Sequence, residues 1–148
     1  MTTGKRIPIR AGSPDPALIQ AAADRIRGGG VAVCPTSGLY GLAADPFQPM
    51  AVERIFEVKG RPAHMPLLVL IDDRKVLARL TPSMPPVAER LMNRFWPGGL
   101  TLVVPAHPSL PTALTGGGAT VGIRQTRHPV ARMLAWAAGG VITGTSAN

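Results

Sequence analysis

The feature that most constrains this chain is its punctuation: helix-like segments open on proline, close on glycine, and alternate with short apolar runs. Asp15 is a good N-cap and Pro16 suits the first helical position. Leu18, Ile19, Ala22 and Ile26 then share one helical face, and Gly28-Gly29-Gly30 ends the segment. Residues 31–34 form a short apolar run that reads as a buried strand. A second helix is predicted from about Pro49 to Lys59, with Val52, Ile55 and Phe56 facing inward and Gly60 as its stop. Residues 66–71 read as another buried strand, and Asp72 or Asp73 caps a short helix ending near Leu80. Pro85-Pro86 opens a helix through Leu91 to Phe95, residues 100–104 and 120–124 are further strands, and Pro129 starts a helix carrying Val130, Met133, Leu134 and Ala137. Gly139-Gly140 closes that helix before a last strand, Val141-Ile142-Thr143. Strands alternating with helices imply an α/β domain, and strands apolar throughout imply a sheet covered on both faces. Residues 105–119 are rich in Pro and Gly and long enough for a mobile loop. With no internal repeat and no linker, the 148 residues read as one domain, 1–148.

Composition excludes several classes of function. Hydrophobic residues make up 45% of the chain, which argues against disorder, yet no apolar run reaches the roughly 18 residues of a membrane span. Met1-Thr2-Thr3-Gly4-Lys5-Arg6 is not followed by the apolar stretch of a secretory signal. Cys34 is the only cysteine, which rules out an internal disulfide and fits a reducing compartment, so a cytoplasmic location is expected. The net charge of +8 favours polyanionic partners such as nucleotides or RNA. The basic residues are dispersed, however, and an aromatic content of 4% argues against a base-stacking platform.

There is no P-loop and no dinucleotide fingerprint. His64, His107 and His128 lack metal-ligand spacing, and Cys34, before a proline in a strand-like run, reads as an inert core thiol. Lys59 and Arg61 follow a helix, where cations are favoured by the macrodipole alone. On a tight turn beside a strand mouth they have a second use: a point charge and a planar fork that together hold a triphosphate and stabilise a departing pyrophosphate. Thr36 follows the 31–34 strand, where its hydroxyl can meet a small polar substrate, and Arg124 ends a strand, where it can clamp a carboxylate. Ser146 and Asn148 follow the last strand and offer a hydroxyl and an amide to phosphate oxygens or hydrated Mg²⁺.

Each signal is ordinary alone, but their order is specific. Pro35-Thr36-Ser37-Gly38-Leu39-Tyr40-Gly41-Leu42, Lys59-Gly60-Arg61-Pro62, Phe95-Trp96-Pro97-Gly98-Gly99-Leu100-Thr101, Val121-Gly122-Ile123-Arg124 and Ser146-Ala147-Asn148 together resemble the YrdC-like family of threonylcarbamoyl-AMP synthases. The resemblance runs from about Asp15 to Asn148 and implies a single-domain, twisted open, mostly buried mixed sheet with flanking helices. It implies a nucleotidyltransferase that makes threonylcarbamoyl-AMP and pyrophosphate from L-threonine, bicarbonate and ATP, with Mg²⁺, for the t6A modification of tRNA. Lys59 and Arg61 would then be catalytic and hold the ATP phosphates, Ser146 and Asn148 would complete that site with Asn148 near Mg²⁺, and Thr120 would contact the nucleotide. Thr36 and Arg124 would hold threonine. Downstream t6A transferase proteins are the implied recipients of the product, and double-stranded RNA or tRNA an implied partner. The alternative within the family is a non-catalytic RNA-binding relative.

Two departures stand out. The family pattern has Glu where this chain has Ser37, followed here by Gly38, so a carboxylate that could anchor the substrate amine is missing. Family domains also continue beyond Ser-x-Asn into a further turn, helix and strands. The chain is therefore expected to be a truncated form, since an α-carboxylate on Asn148 would stand unfavourably beside a triphosphate.

Overall fold

The computed structural model describes residues 4–148; residues 1–3, the start of the segment read above for a signal, lie outside the described residues. Helix α1 (Pro16–Arg27) forms as its cap dictates: the Asp15 carboxylate accepts from the Ala17 N–H at 2.8 Å, and Ile19, Ala23 and Ile26 are buried. Strand β1 (Ala32–Pro35) and β2 (Tyr40–Ala43) make an antiparallel hairpin that pairs Pro35 with Tyr40. Helix α2 (Pro49–Lys59) buries Ala51, Val52, Ile55 and Phe56. Strand β3 (Val69–Ile71) leads into a 3₁₀ helix, Arg74–Arg79, whose Asp73 cap accepts from Lys75 N–H. Helix α3 (Pro86–Phe95), β4 (Leu102–Pro105), α4 (Thr112–Thr115), β5 (Thr120–Gln125), α5 (Pro129–Ala137), β6 (Val141–Thr143) and β7 (Thr145–Ser146) complete the chain.

The α/β class and the mixed sheet are as expected, but the strands divide into two sheets. One is three-stranded and antiparallel, ordered β1-β2-β7; the other is four-stranded, ordered β4-β5-β3-β6, with β3 and β5 parallel and the remaining pairs antiparallel. Thr143 joins them. Its N–H donates to Ala44 O at 3.0 Å, and its hydroxyl accepts from Ala44 N at 2.9 Å and donates to Leu42 O at 2.8 Å. At 1% exposure, Thr143 is a buried polar residue whose N–H and hydroxyl are both paired.

Alternation along β3 explains why that strand carries no polar face. Val69 and Ile71 enter one core with Val52, Ile55, Leu114 and Ile123, while Leu70 enters a second with Ile19, Ile26, Leu134 and Ile142. Helices α2, α3 and α4 contribute to the first core, and α1 and α5 to the second.

Four local readings change. The strand expected over 66–71 is regular only from Val69, because Leu67 N–H donates to Leu114 O and Leu68 O accepts from Gly144 N–H outside any ladder. The strand expected from residue 100 begins at Leu102, since the Leu100 carbonyl is taken by the Trp96 indole N–H at 2.7 Å. Residues 105–119 are a packed connection rather than a free loop. They form α4, bury Leu110 and Leu114, and tie to the core through His107 N–H to Leu80 O at 2.8 Å. Strands β2 and β7 were not anticipated: β2 lies in a stretch dominated by turn formers, and β7 has two residues.

Candidate functional site

The β6–β7 crossing and the end of α2 meet at the candidate site. Gly60 takes the left-handed conformation (φ 59°) that caps α2, with Arg61 N–H donating to Phe56 O at 3.1 Å. That cap turns Arg61 back toward the side from which Lys59 projects. Lys59 Nζ donates to Thr145 Oγ1 at 3.2 Å, to Ser146 Oγ at 3.3 Å and to the Ser146 carbonyl. Arg61 Nη1 reaches the same Thr145 Oγ1 at 3.5 Å, Nη2 donates to Pro66 O at 2.9 Å, and Nε is buried without a partner. Of the expected set, Lys59 and Ser146 meet directly and Arg61 joins them through Thr145, whereas Asn148 makes no hydrogen bond to any of the three.

Arg124 lies on β5, where Nε donates to Thr101 Oγ1 at 2.9 Å. With Nε held from behind, the terminal nitrogens form the face of the fork left for a bidentate anion. Thr36 follows β1; its N–H and its hydroxyl both donate to the Leu39 carbonyl, closing the hairpin loop. The hydroxyl proton is thus committed, but the lone pairs of Oγ1 remain for a donor.

Two hollows adjoin here. The smaller, about 40 Å³, is bounded by Thr36, Ser37, Leu70, Arg124, Thr126 and Gly144 among others. The larger, about 250 Å³, is bounded by Arg61, Leu68, Thr101, Thr120, Gly122 and Thr145 among others. Arg124 borders the smaller hollow and Thr101 the larger, and their hydrogen bond links the two linings. Thr120 lies at the exposed start of β5 on the larger hollow, and Asn148 is exposed beyond β7.

The electrostatics are one-sided. The ion pair found among the described residues is Arg27–Asp24, on the surface of α1, where the partner guanidinium holds the Asp24 carboxyl below its ordinary range. Among the described residues no carboxylate pairs with Lys59, Arg61 or Arg124. No cluster of three or more His, Cys, Asp or Glu lies together among the described residues. The oxygens near Lys59 are hydroxyls and a carbonyl already receiving its N–H groups, a donor set that does not fit a resident divalent cation. Cys34 is buried, and burial pushes its thiol up to about 11, in keeping with an inert core residue.

Sequence reasoning missed Thr145 and Thr101, the two hydroxyls that orient the site's three cations. Thr145 adjoins the Ser-x-Asn motif and falls two residues after the buried Thr143, a strand-period signal that was available. Thr101 was quoted as the last residue of a motif and given no role.

Comparison with known proteins agrees with this architecture. The Sua5_yciO_yrdC family model, described as "Telomere recombination", matches residues 24–148. The chain is 43% identical over 130 residues to a threonylcarbamoyl-AMP synthase of Pyrococcus abyssi, covering 88% of this chain and 38% of that protein. It is 38% identical over 133 residues to one of Halorhodospira halophila, covering 90% of this chain and 70% of that protein. The crystal structure of P. abyssi Sua5 complexed with L-threonine superposes with a TM-score of 0.89 at 41% identity, covering 92% of this chain and 40% of that one. The chain thus spans about two fifths of the Pyrococcus protein.

Proposed function

The chain belongs to the Sua5/YciO/YrdC family, and on that premise we propose that it forms threonylcarbamoyl-AMP and pyrophosphate from L-threonine, bicarbonate and ATP. The observation that carries this reading is the pair of neighbouring hollows linked by the Arg124–Thr101 hydrogen bond, the smaller bordered by Arg124 and Thr36, the larger by Arg61 and by Thr145, on whose hydroxyl Lys59 also converges. The lining gives the amino acid to the first, where Arg124 and Thr36 stand, and the phosphates to the second, where Arg61 and Thr145 stand. The Arg124 fork receives the threonine carboxylate, and the Thr36 lone pairs accept from its ammonium or hydroxyl group. Thr120 borders the nucleotide. Lys59 and Arg61 take the phosphates, with Ser146 and Asn148 at their far side.

The amine of threonine and bicarbonate give a carbamate with loss of water. A carbamate oxygen then bonds to the α-phosphorus of ATP as the α–β phosphoanhydride bond breaks and pyrophosphate leaves with that electron pair. No protein nucleophile is required. The chain contributes placement in the two neighbouring hollows and positive charge where the pyrophosphate charge develops. Mg²⁺ enters as Mg·ATP, part of the substrate. Ser37, in place of the family's Glu, leaves the amine without a carboxylate partner from that position and places more of the selectivity on Arg124.

The product would be passed to t6A transferase proteins acting on tRNA. The +8 charge supports contact with RNA, and a cytoplasmic setting fits this role; no helix among the described residues is long and apolar enough to cross a membrane.

The test is pyrophosphate release from Mg·ATP and bicarbonate with and without threonine, for the wild type and Lys59→Ala. Threonine-dependent release, lost in a folded Lys59→Ala, is expected. Wild-type release that ignores threonine overturns this reading, and salt-sensitive duplex RNA binding with no release overturns it in favour of a non-catalytic relative.

A further inference from the structure

Both cations of the phosphate site converge on one hydroxyl. Thr145 Oγ1 lies 3.2 Å from Lys59 Nζ and 3.5 Å from Arg61 Nη1. A hydroxyl has two acceptor lone pairs, and both are occupied here. Thr145 is 6% exposed and is fixed by its β-ladder position opposite the core residue Leu42, so this oxygen is held by the fold.

Keeping two like charges close costs free energy, and a carboxylate between them is the ordinary remedy. That remedy would cancel the charge a polyphosphate needs. A neutral oxygen orients both cations and cancels neither. Two further facts agree. No carboxylate is paired with Lys59 or Arg61 among the described residues, and the buried Arg61 Nε is still without a partner.

We propose that Thr145 is a positioning residue for polyphosphate binding: its hydroxyl holds Lys59 and Arg61 in one geometry with their charge intact. This deepens the reading of the larger hollow as a nucleotide site and rests on it. Thr145→Val keeps the shape and the β-branch and replaces the hydroxyl by a methyl, which cannot accept. Thr145→Ser keeps the acceptor, and Thr145→Asp keeps an acceptor while adding the cancelling charge.

Calorimetric titration of the intact chain with Mg·ATP, with inorganic tripolyphosphate and with L-threonine tests this without turnover. Thr145→Val weakens both phosphate ligands about tenfold, the scale of lost hydrogen bonds to charged groups, and leaves threonine affinity and the melting midpoint near wild type. Thr145→Ser binds within about twofold of wild type, and Thr145→Asp loses tripolyphosphate binding. Wild-type phosphate affinity in Thr145→Val, equal losses in Val and Ser, or an equal loss of threonine affinity each overturn the role of the hydroxyl while leaving the nucleotide site standing. A wild type that binds neither phosphate ligand removes the nucleotide site itself, and the role of Thr145 with it.

Discussion

A methyl group at Gly144 tests the crossing between the sheets and the site built on it. A Cβ there would stand 2.7 Å from Leu68 Cδ1, 2.7 Å from Leu70 Cγ and 3.2 Å from Leu70 Cδ2. Carbon atoms pack favourably at about 3.5–4.0 Å, so both leucines must give way. Leu68 Cδ1 is the end of a half-buried side chain and can swing aside. Leu70 Cγ is a branch point in a residue 4% exposed within the second core, and it cannot move without moving β3 or the crossing. Overpacking of this kind costs about 1–3 kcal/mol, and a domain of this size loses about 2–4 °C of melting temperature per kcal/mol, so Gly144→Ala should melt about 2–12 °C lower. Function should suffer alongside. Gly144 and Leu70 both border the smaller hollow with Arg124, so a displaced Leu70 narrows the space assigned to threonine. Differential scanning calorimetry and threonine titration at fixed Mg·ATP measure the two effects. An alanine variant with unchanged melting temperature and unchanged threonine affinity would refute both the packing of the crossing and the placement of the substrate.

Gly60→Ala puts a Cβ on a left-handed cap and should cost about 1–2 kcal/mol; because the cap aims Arg61, nucleotide affinity should fall more than threonine affinity, and an equal fall would count against the aiming role. Ile123→Ala empties a fully buried position opposite both Val69 and Leu102, and urea unfolding should show a loss of about 2–5 kcal/mol. Cys34 keeps its proton in the folded chain up to about pH 11 because it is buried, against an ordinary value of 9.0, so between those values the folded state holds more protons than the unfolded one. Stability should therefore fall as pH rises through that window, by at most about 3 kcal/mol, and Cys34→Ala should flatten the decline.

The parts of the fold legible in the sequence are those fixed by local chemistry. Asp15-Pro16 and Gly60 announce the ends of α1 and α2 because a cap is a short-range interaction between a side chain or a φ angle and neighbouring backbone groups. The two-residue β7 has no local signal, since its pairing with β2 joins residues about a hundred positions apart. The same distinction runs through the site. Lys59, Arg61 and Ser146 were legible as motif residues, and Arg124 as a cation ending a strand. Thr145 and Thr101 act by accepting from arginines and a lysine brought to them from 23, 84 and 86 positions away, and a threonine's value as an acceptor is invisible until its donors are placed.

The positive character of the site comes less from an excess of cations than from where the acids are spent. Asp15 and Asp73 accept from backbone N–H groups at helix starts, and Asp45 accepts from Phe47 N–H and the Gln48 amide. Asp24 pairs with Arg27, and Glu53, Glu57 and Glu89 sit exposed on helices. Capping and pairing thus occupy these four aspartates, no carboxylate among the described residues pairs with Lys59 or Arg61, and the hydrogen bonds those two cations make there go to hydroxyls and carbonyls. At an effective dielectric constant near 20, a carboxylate about 4 Å from either cation would interact with it by about 4 kcal/mol. A phosphate would have to compete with that interaction before gaining anything from the site. Neutral acceptors orient the same cations without that competition, which is why a threonine, the residue least conspicuous in the sequence, occupies the point where the two charges meet.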